Sequence, residues 1–292
     1  MRVHLGGRVR GGKMDNKELL RLKKLANSIR FGIIEGVYNA ACGHPGGSLS
    51  IADVLTYLYF EEMNVDPKNP KWDDRDRFVL SKGHTAPALY ATLAERGFFA
   101  KEELKTLRKT GSMLQGHPDM KGIPGVDMST GSLGLGISAA CGMALSAKVN
   151  GKDYRVYTVI GDGESEEGQV WEAAMFAAHY DLDNLVCVVD WNGLQIDGAI
   201  TEVMDPTPHD KKFEAFGWHV ISVDGHDFEQ IASAFAEART VKGKPTAIIA
   251  RTVKGKGVSY MENACEWHGQ APKEDLYNVA ISDLTVIEES LR

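Results

Sequence analysis

The chain has 292 residues, 43% of them hydrophobic and 25% charged, with a formal net charge of −7. That composition supports a folded core of one large or two small domains and excludes a disordered or fibrous chain. The negative balance argues against nucleic acid as a general partner, and no stretch nears the roughly 18 apolar residues of a membrane span, whereas local backbone N–H groups or a metal can still hold an anionic ligand.

Residues 1–14 are basic and glycine-rich, without the apolar run of about 7–15 residues that a signal peptide carries, and read as a flexible tail. From Asp15, the residues Leu19, Leu22, Ala26, Ile29 and Ile33 recur every three or four positions behind a capping Asp-Asn, which predicts a helix ending near Gly43. Further helices are expected at 48–63, 85–96, 132–149, 168–181 and 227–240. Short apolar runs rich in β-branched residues at 157–160, 185–189, 219–223 and 247–250 predict buried strands between them. This alternation describes an α/β fold, a mostly parallel sheet with helices on both faces that binds ligands at the carboxyl ends of its strands. Residues 15–272 are read as one domain and the acidic stretch 273–292 as a tail. Cys42, Cys141, Cys187 and Cys265 are widely spaced without a C-x-x-C pair, which points to a reduced cytoplasm and away from a zinc knuckle.

Three features carry chemistry. The run VIGDGESEEG ends a strand on Gly161-Asp162-Gly163, and thirty residues later the next strand delivers Asn192 at the equivalent position. Neighbouring strands would set a carboxylate and an amide oxygen side by side, hard ligands of the kind Mg²⁺ or Ca²⁺ takes, with a backbone carbonyl, water and phosphate oxygens completing the shell. GDG alone is more often a tight turn; the matching Asn shifts the balance toward a metal. The second feature, STGSLGLG at 129–136, runs into the helix ISAACGMAL, and glycines at a helix start expose N–H groups at the positive end of the dipole, a seat for diphosphate. It lacks G-K-[ST] and follows no clear strand, so it is neither a Walker loop nor a dinucleotide fingerprint, and without a neighbouring metal it reads as close packing. Third, His44, His84, His117 and His268 each sit in a glycine- or proline-bearing loop, which suggests one shared polar pocket able to donate and accept protons. His179 and His226 lack that context and read as structural.

The ordered motifs AACGHPGGSLSIADVL, DRFVLSKGHTAPALYA, QGHPD…PGVDMSTGSLGLG, GDGESEEGQVWEA, DWNGLQIDG and TVKGKGVSYMENACEWHG resemble the amino-terminal, diphosphate-binding domain of transketolase over about residues 20–272. The Asn-Asn pair of the wider thiamin diphosphate signature is here Trp191-Asn192, which keeps the ligand position. The resemblance implies that Asp162, Asn192 and the Leu194 carbonyl hold Mg²⁺, with Ca²⁺ able to substitute. It implies that Gly161 and Gly163 let a diphosphate approach. It places His84, Gly131, Leu133, Lys254 and His268 around thiamin diphosphate, and His44, His117 and His268 along a substrate channel. Glu167 matches a glutamate at an interface between subunits.

The implied activity is transfer of a two-carbon ketol unit between ketose and aldose phosphates, as in the pentose phosphate pathway. The chain stops before the pyrimidine-binding and carboxyl-terminal domains of such an enzyme. It is therefore expected to be one subunit of a split transketolase, joined to a second chain in an α₂β₂ heterotetramer and inactive without it; the alternative is a piece of a longer polypeptide. Rival readings are a related enzyme that takes another ketol donor, a 1-deoxyxylulose-5-phosphate synthase-like activity, a non-catalytic paralogue, and a Mg²⁺ phosphohydrolase with Asp162 as nucleophile. The last lacks the second acidic cluster of a two-metal site.

Overall fold

A computed structural model describes residues 14–292. Apart from Met14, which is buried, the expected 1–14 tail lies outside the described residues. The chain opens with α1 (Asn16–Ala40), started by the Asp15 side chain accepting from the Glu18 N–H at 2.7 Å and stopped by Ala41 in the left-handed region. There follow α2 (Pro45–Ser50), α3 (Ala52–Tyr57) with a π turn over Leu58–Glu62, and then β1 (Arg77–Leu80). The sequence pattern expects one helix at 48–63; Ile51, with φ −97° and ψ 5°, breaks it into two.

Beyond β1 come α4 (Ala86–Arg96), α5 (Leu135–Val149), β2 (Val156–Gly161), α6 (Gly168–His179) and β3 (Leu185–Trp191). The remaining elements are α7 (Ile200–Val203), α8 (His209–Ala215), β4 (His219–Asp224), α9 (Phe228–Thr240), β5 (Thr246–Arg251) and α10 (Glu274–Ser290). All strand pairs are parallel, in the order β1-β2-β3-β5-β4.

The central strands are buried on both faces, which is why they read as unbroken apolar runs. Tyr157, Val159, Val186 and Val188 pack into one core with α1, α3, α4 and α9. Val156, Ile160, Leu185, Cys187 and Val189 pack into the other with α5, α6 and α8. Side-chain alternation along each strand sorts these residues between the two layers.

The stretch 273–292, expected as a tail, is mostly helix. Its acids face outward, while Tyr277, Ala280, Ile281, Leu284 and Ile287 form a stripe at helical spacing. Ala280 and Leu284 are fully buried, Tyr277 stacks on Tyr38 at 4.0 Å between ring centroids, and Asn27 donates to the Leu284 carbonyl at 2.9 Å. The helix thus packs on α1 as part of the same unit.

Candidate active site

The carboxyl ends of β1, β2, β3 and β5 face one cleft of about 410 Å³. Gly161 pairs in register with Asp190, so Asp162 stands opposite Trp191 and Asn192 projects one residue further on. Asp162 is 2% exposed; its carboxylate accepts from the Gly163 N–H at 2.8 Å and the Gly193 N–H at 2.6 Å. Burial, and then the charge of Asp190, push its carboxyl up to about 7. The Asn192 amide donates to Asp190 at 3.1 Å, and its oxygen accepts from the Leu194 N–H at 3.1 Å. The Leu194 carbonyl accepts from the Lys254 ammonium at 3.2 Å.

Asp162, Asn192 and Leu194, which bring a carboxylate, an amide oxygen and a backbone carbonyl, thus line the same cleft. A carboxylate raised by burial and then by a neighbouring negative charge is one that a hard cation stabilises, so the donor set fits Mg²⁺. Among the described residues no group of three or more His, Cys, Asp or Glu side chains has metal-holding geometry, so such an ion would need water and ligand oxygens as well. A Cβ on Gly161 would meet nothing nearer than 3.7 Å. The fold itself therefore does not demand glycine there.

The glycine-rich run has a strand beside it after all. Thr130 donates to the Leu80 carbonyl at 2.7 Å, laying the loop across the end of β1, and a Cβ on Gly83 would fall 2.8 Å from the Gly131 nitrogen. The sequence hides this because β1 has only four residues and fifty separate it from the loop. Gly134, at φ 80°, turns the chain into α5.

The histidines do gather. Ring centroids of His44, His84 and His268 lie 5.0, 5.2 and 5.5 Å apart, while His117 packs against Gly131, with its ring 3.2 Å from where a Cβ would be. His44, His84 and His268 line the cleft with Gly131, Leu133, Glu167 and Lys254; His117 is not among the lining residues. Burial first, then nearby cations, lower all four: His44 to about 4, His268 to about 3, His84 well below the usual imidazole value, and His117 in the same direction. The cluster is therefore neutral near pH 7. Lys254, 1% exposed and lowered to about 8 by burial, donates to His268 Nδ1 at 2.8 Å, which leaves the imidazole proton on Nε2.

His226 has the structural role its context suggested: Nδ1 donates to Asp53 at 2.7 Å and Nε2 accepts from the Val253 N–H at 2.9 Å, tying β5's exit to α3. Sequence reasoning missed the support beneath the site. Asp190, fully buried, accepts from Ser50 at 2.7 Å, Lys82 at 2.5 Å, Asn192 and Thr252. It sits inside an apolar strand, and that misplaced charge was the one available signal. His209, also fully buried, lies 3.1 Å from the Ser165 hydroxyl below the Asp162 turn.

Residues 22–284 match the family described as transketolase, thiamine diphosphate binding domain. The chain belongs to the transketolase family. It is 48% identical over 269 residues to the 6-deoxy-6-sulfo-D-fructose transketolase subunit SqwG of Clostridium sp. strain MSTE9, covering 92% of this chain and 98% of that one. It is 44% identical to an apulose-4-phosphate transketolase subunit of Phocaeicola vulgatus, across 94% and 96% of the two chains. Human transketolase is 46% identical over 93% of this chain, yet the match spans only 43% of the human protein. The crystal structure of transketolase from Campylobacter jejuni superposes with a TM-score of 0.86 at 34% identity, covering 93% of this chain and 43% of that one. The transketolase-like chain thus corresponds to whole subunits in two relatives and to less than half of the longer ones. Among the described residues, no helix is long and apolar enough to cross a membrane.

Proposed function

We propose that this chain supplies the thiamin diphosphate- and Mg²⁺-holding half of a split transketolase, which moves a two-carbon ketol unit from a ketose to an aldose phosphate. The observation that carries the reading is that Asp162, Asn192 and Leu194 line one cleft with Gly131 and Leu133 of the glycine-rich loop and with the neutral His44, His84 and His268. In it, Asp162, Asn192 and Leu194 bind the metal, Gly131 and Leu133 flank the cofactor, and His84 and Lys254 face its diphosphate end. Bound thiamin diphosphate supplies the nucleophile and electron sink for carbon–carbon cleavage.

The protein's part is orientation and proton movement. Neutral imidazoles of His44 and His268, which line the cleft, hydrogen-bond sugar hydroxyls, and His268 donates from the Nε2 that Lys254 leaves protonated. Their depressed basicity keeps them neutral near pH 7, so each ring offers one N–H donor and one acceptor nitrogen. The ring of side chains and the Gly-rich loop hold the reacting groups in place, converting encounter into an intramolecular step.

A second chain belongs to the proposal. Helix α5, LGISAACGMALSAKV, is apolar around nearly its whole circumference, the pattern of a helix covered on all sides. Its outer face and that of α6 nevertheless expose Leu135 (52%), Val149 (75%) and Met175 (58%) with Phe176 and Tyr180, and Leu133 and Glu167 join this surface to the cleft. A partner carrying the pyrimidine-binding and carboxyl-terminal domains, seated here in an α₂β₂ assembly, covers that face and meets Glu167. That the two relatives matched end to end are named as subunits supports the need for a second chain. The unit is taken as 15–290, a domain that includes α10, and its four free cysteines suit a cytoplasmic setting.

Calorimetric titration with thiamin diphosphate tests the cofactor reading. Binding must require Mg²⁺ or Ca²⁺ and disappear in Asp162→Ala; binding that survives chelation and that substitution overturns it.

A further inference from the structure

We infer that Glu164 is a positioning residue whose buried carboxylate clamps together the three loops forming the diphosphate-facing floor of the cleft. Glu164 is 3% exposed and lines that cleft. One carboxylate oxygen, Oε1, accepts from the Gly134 N–H at 2.9 Å and from the Ser81 hydroxyl; the other, Oε2, accepts from the Gly161 N–H at 3.0 Å. These donors belong to the turn into α5, the exit of β1 and the last residue of β2. Ser81 is 83 positions away and Gly134 is 30, so no local turn would bring the loops together. The junction is also tightly packed: a Cβ on Gly136 would fall 2.5 Å from the Ser81 Cα. Movement of one loop is therefore passed to the others.

The inference rests on the proposed cofactor, and charge and geometry make opposite demands on it. A carboxylate lining a cleft that takes a diphosphate repels the ligand, so charge alone says that a neutral Gln tightens binding. Clamping says the reverse. A Gln side chain has one oxygen, and whichever way its amide turns, an NH₂ meets the Gly161 N–H or the Gly134 N–H, donor against donor, although the Ser81 hydroxyl can turn to accept. One loop is then released and the floor is no longer held in shape.

The test compares the full chain with Glu164→Gln. Thiamin diphosphate is titrated at saturating Mg²⁺ and neutral pH, well below the melting temperature, and amide hydrogen exchange is followed without cofactor. The clamp predicts roughly tenfold weaker binding by the folded variant, the cost of one unmade buried hydrogen bond. It also predicts faster exchange at the Gly134 and Gly161 amides. Ser81→Ala removes one donor and leaves the carboxylate, and should weaken binding a few-fold; it carries the test if Glu164→Gln does not fold. Equal or tighter binding, or unchanged exchange at both amides, overturns the clamp. A variant that only melts earlier while its folded form binds normally also overturns it. If the unsubstituted chain binds no thiamin diphosphate, the functional proposal fails, and the exchange measurement still decides the clamp.

Discussion

Replacing Asp190 by asparagine should cost far more than the loss of one surface ion pair. Asp190 is fully buried, and the side chain of its partner Lys82 is only 3% exposed, at 2.5 Å. The carboxylate is held below its usual range, with burial opposing and the Lys82 charge, hydrogen bonds from Lys82, Ser50 and Thr252 favouring the ionised form. An asparagine in its place keeps one oxygen for these donors and leaves the Lys82 ammonium buried without its counter-charge. Removing one partner of a buried pair typically costs about 3–5 kcal/mol. The chain should therefore lose about that much in urea unfolding at neutral pH. Because the deficit comes from the stranded lysine, adding Lys82→Met should recover about 2 kcal/mol or more of it, a coupling of the size expected for contacting residues. Asn192, which donates to Asp190, loses its orienting partner in both variants, so Mg²⁺-dependent cofactor binding should stay weak even where stability returns. An Asp190→Asn cost under about 1 kcal/mol, or single costs that simply add, would refute the reasoning.

Acid should destabilise the chain over a defined window. His44 and His268 have folded values of about 4 and 3 against an ordinary 6.5, so the unfolded state binds more protons between them. Their contribution is full above about pH 6.5 and is lost as pH falls toward 4. Melting temperature against pH should fall through that window, and less steeply in His44→Gln; a flat profile down to pH 5 contradicts the neutral cluster. Leu284→Ala, at a fully buried position of α10, should cost about 2–5 kcal/mol and open the carboxyl-terminal helix to limited proteolysis. Unchanged stability and protection would mean that α10 is only loosely attached. Met175→Glu, on the exposed face of α6, should leave the isolated chain's melting temperature nearly unchanged and abolish association with a partner subunit in gel filtration. Intact association would place the partner elsewhere.

How much of this was legible in the sequence varies with the range of the interactions involved. The central strands β2, β3 and β5 announced themselves because burial on both faces leaves mostly apolar residues, as in Val156–Gly161, and the edge strand β4 did so through its β-branched residues. That Asp162 and Asn192 come close together was legible for a related reason, since residues just past the ends of two adjacent parallel strands lie near one another. β1 escaped notice, being only four residues long, and with it went the surface on which the glycine-rich loop rests. Helix α10 was readable from its stripe at 277, 280, 284 and 287, but its acids dominated the reading. The deep support was not legible. Asp190 with Lys82, and Glu164 with Ser81 and Gly134, join residues that only the fold brings together. The histidine loops show both cases: their glycines hinted at a pocket, yet only the packing decides that His44, His84 and His268 touch while His117 stands behind Gly131.

The most direct test of the split-site account is ketol transfer from xylulose 5-phosphate to ribose 5-phosphate with Mg²⁺ and thiamin diphosphate. It is measured for this chain alone and after mixing with a polypeptide that carries the pyrimidine-binding and carboxyl-terminal domains and is encoded beside it. The account predicts turnover only in the mixture, because it assigns the pyrimidine-binding domain to the second chain. Turnover by this chain alone would contradict it, and would mean that these 292 residues suffice.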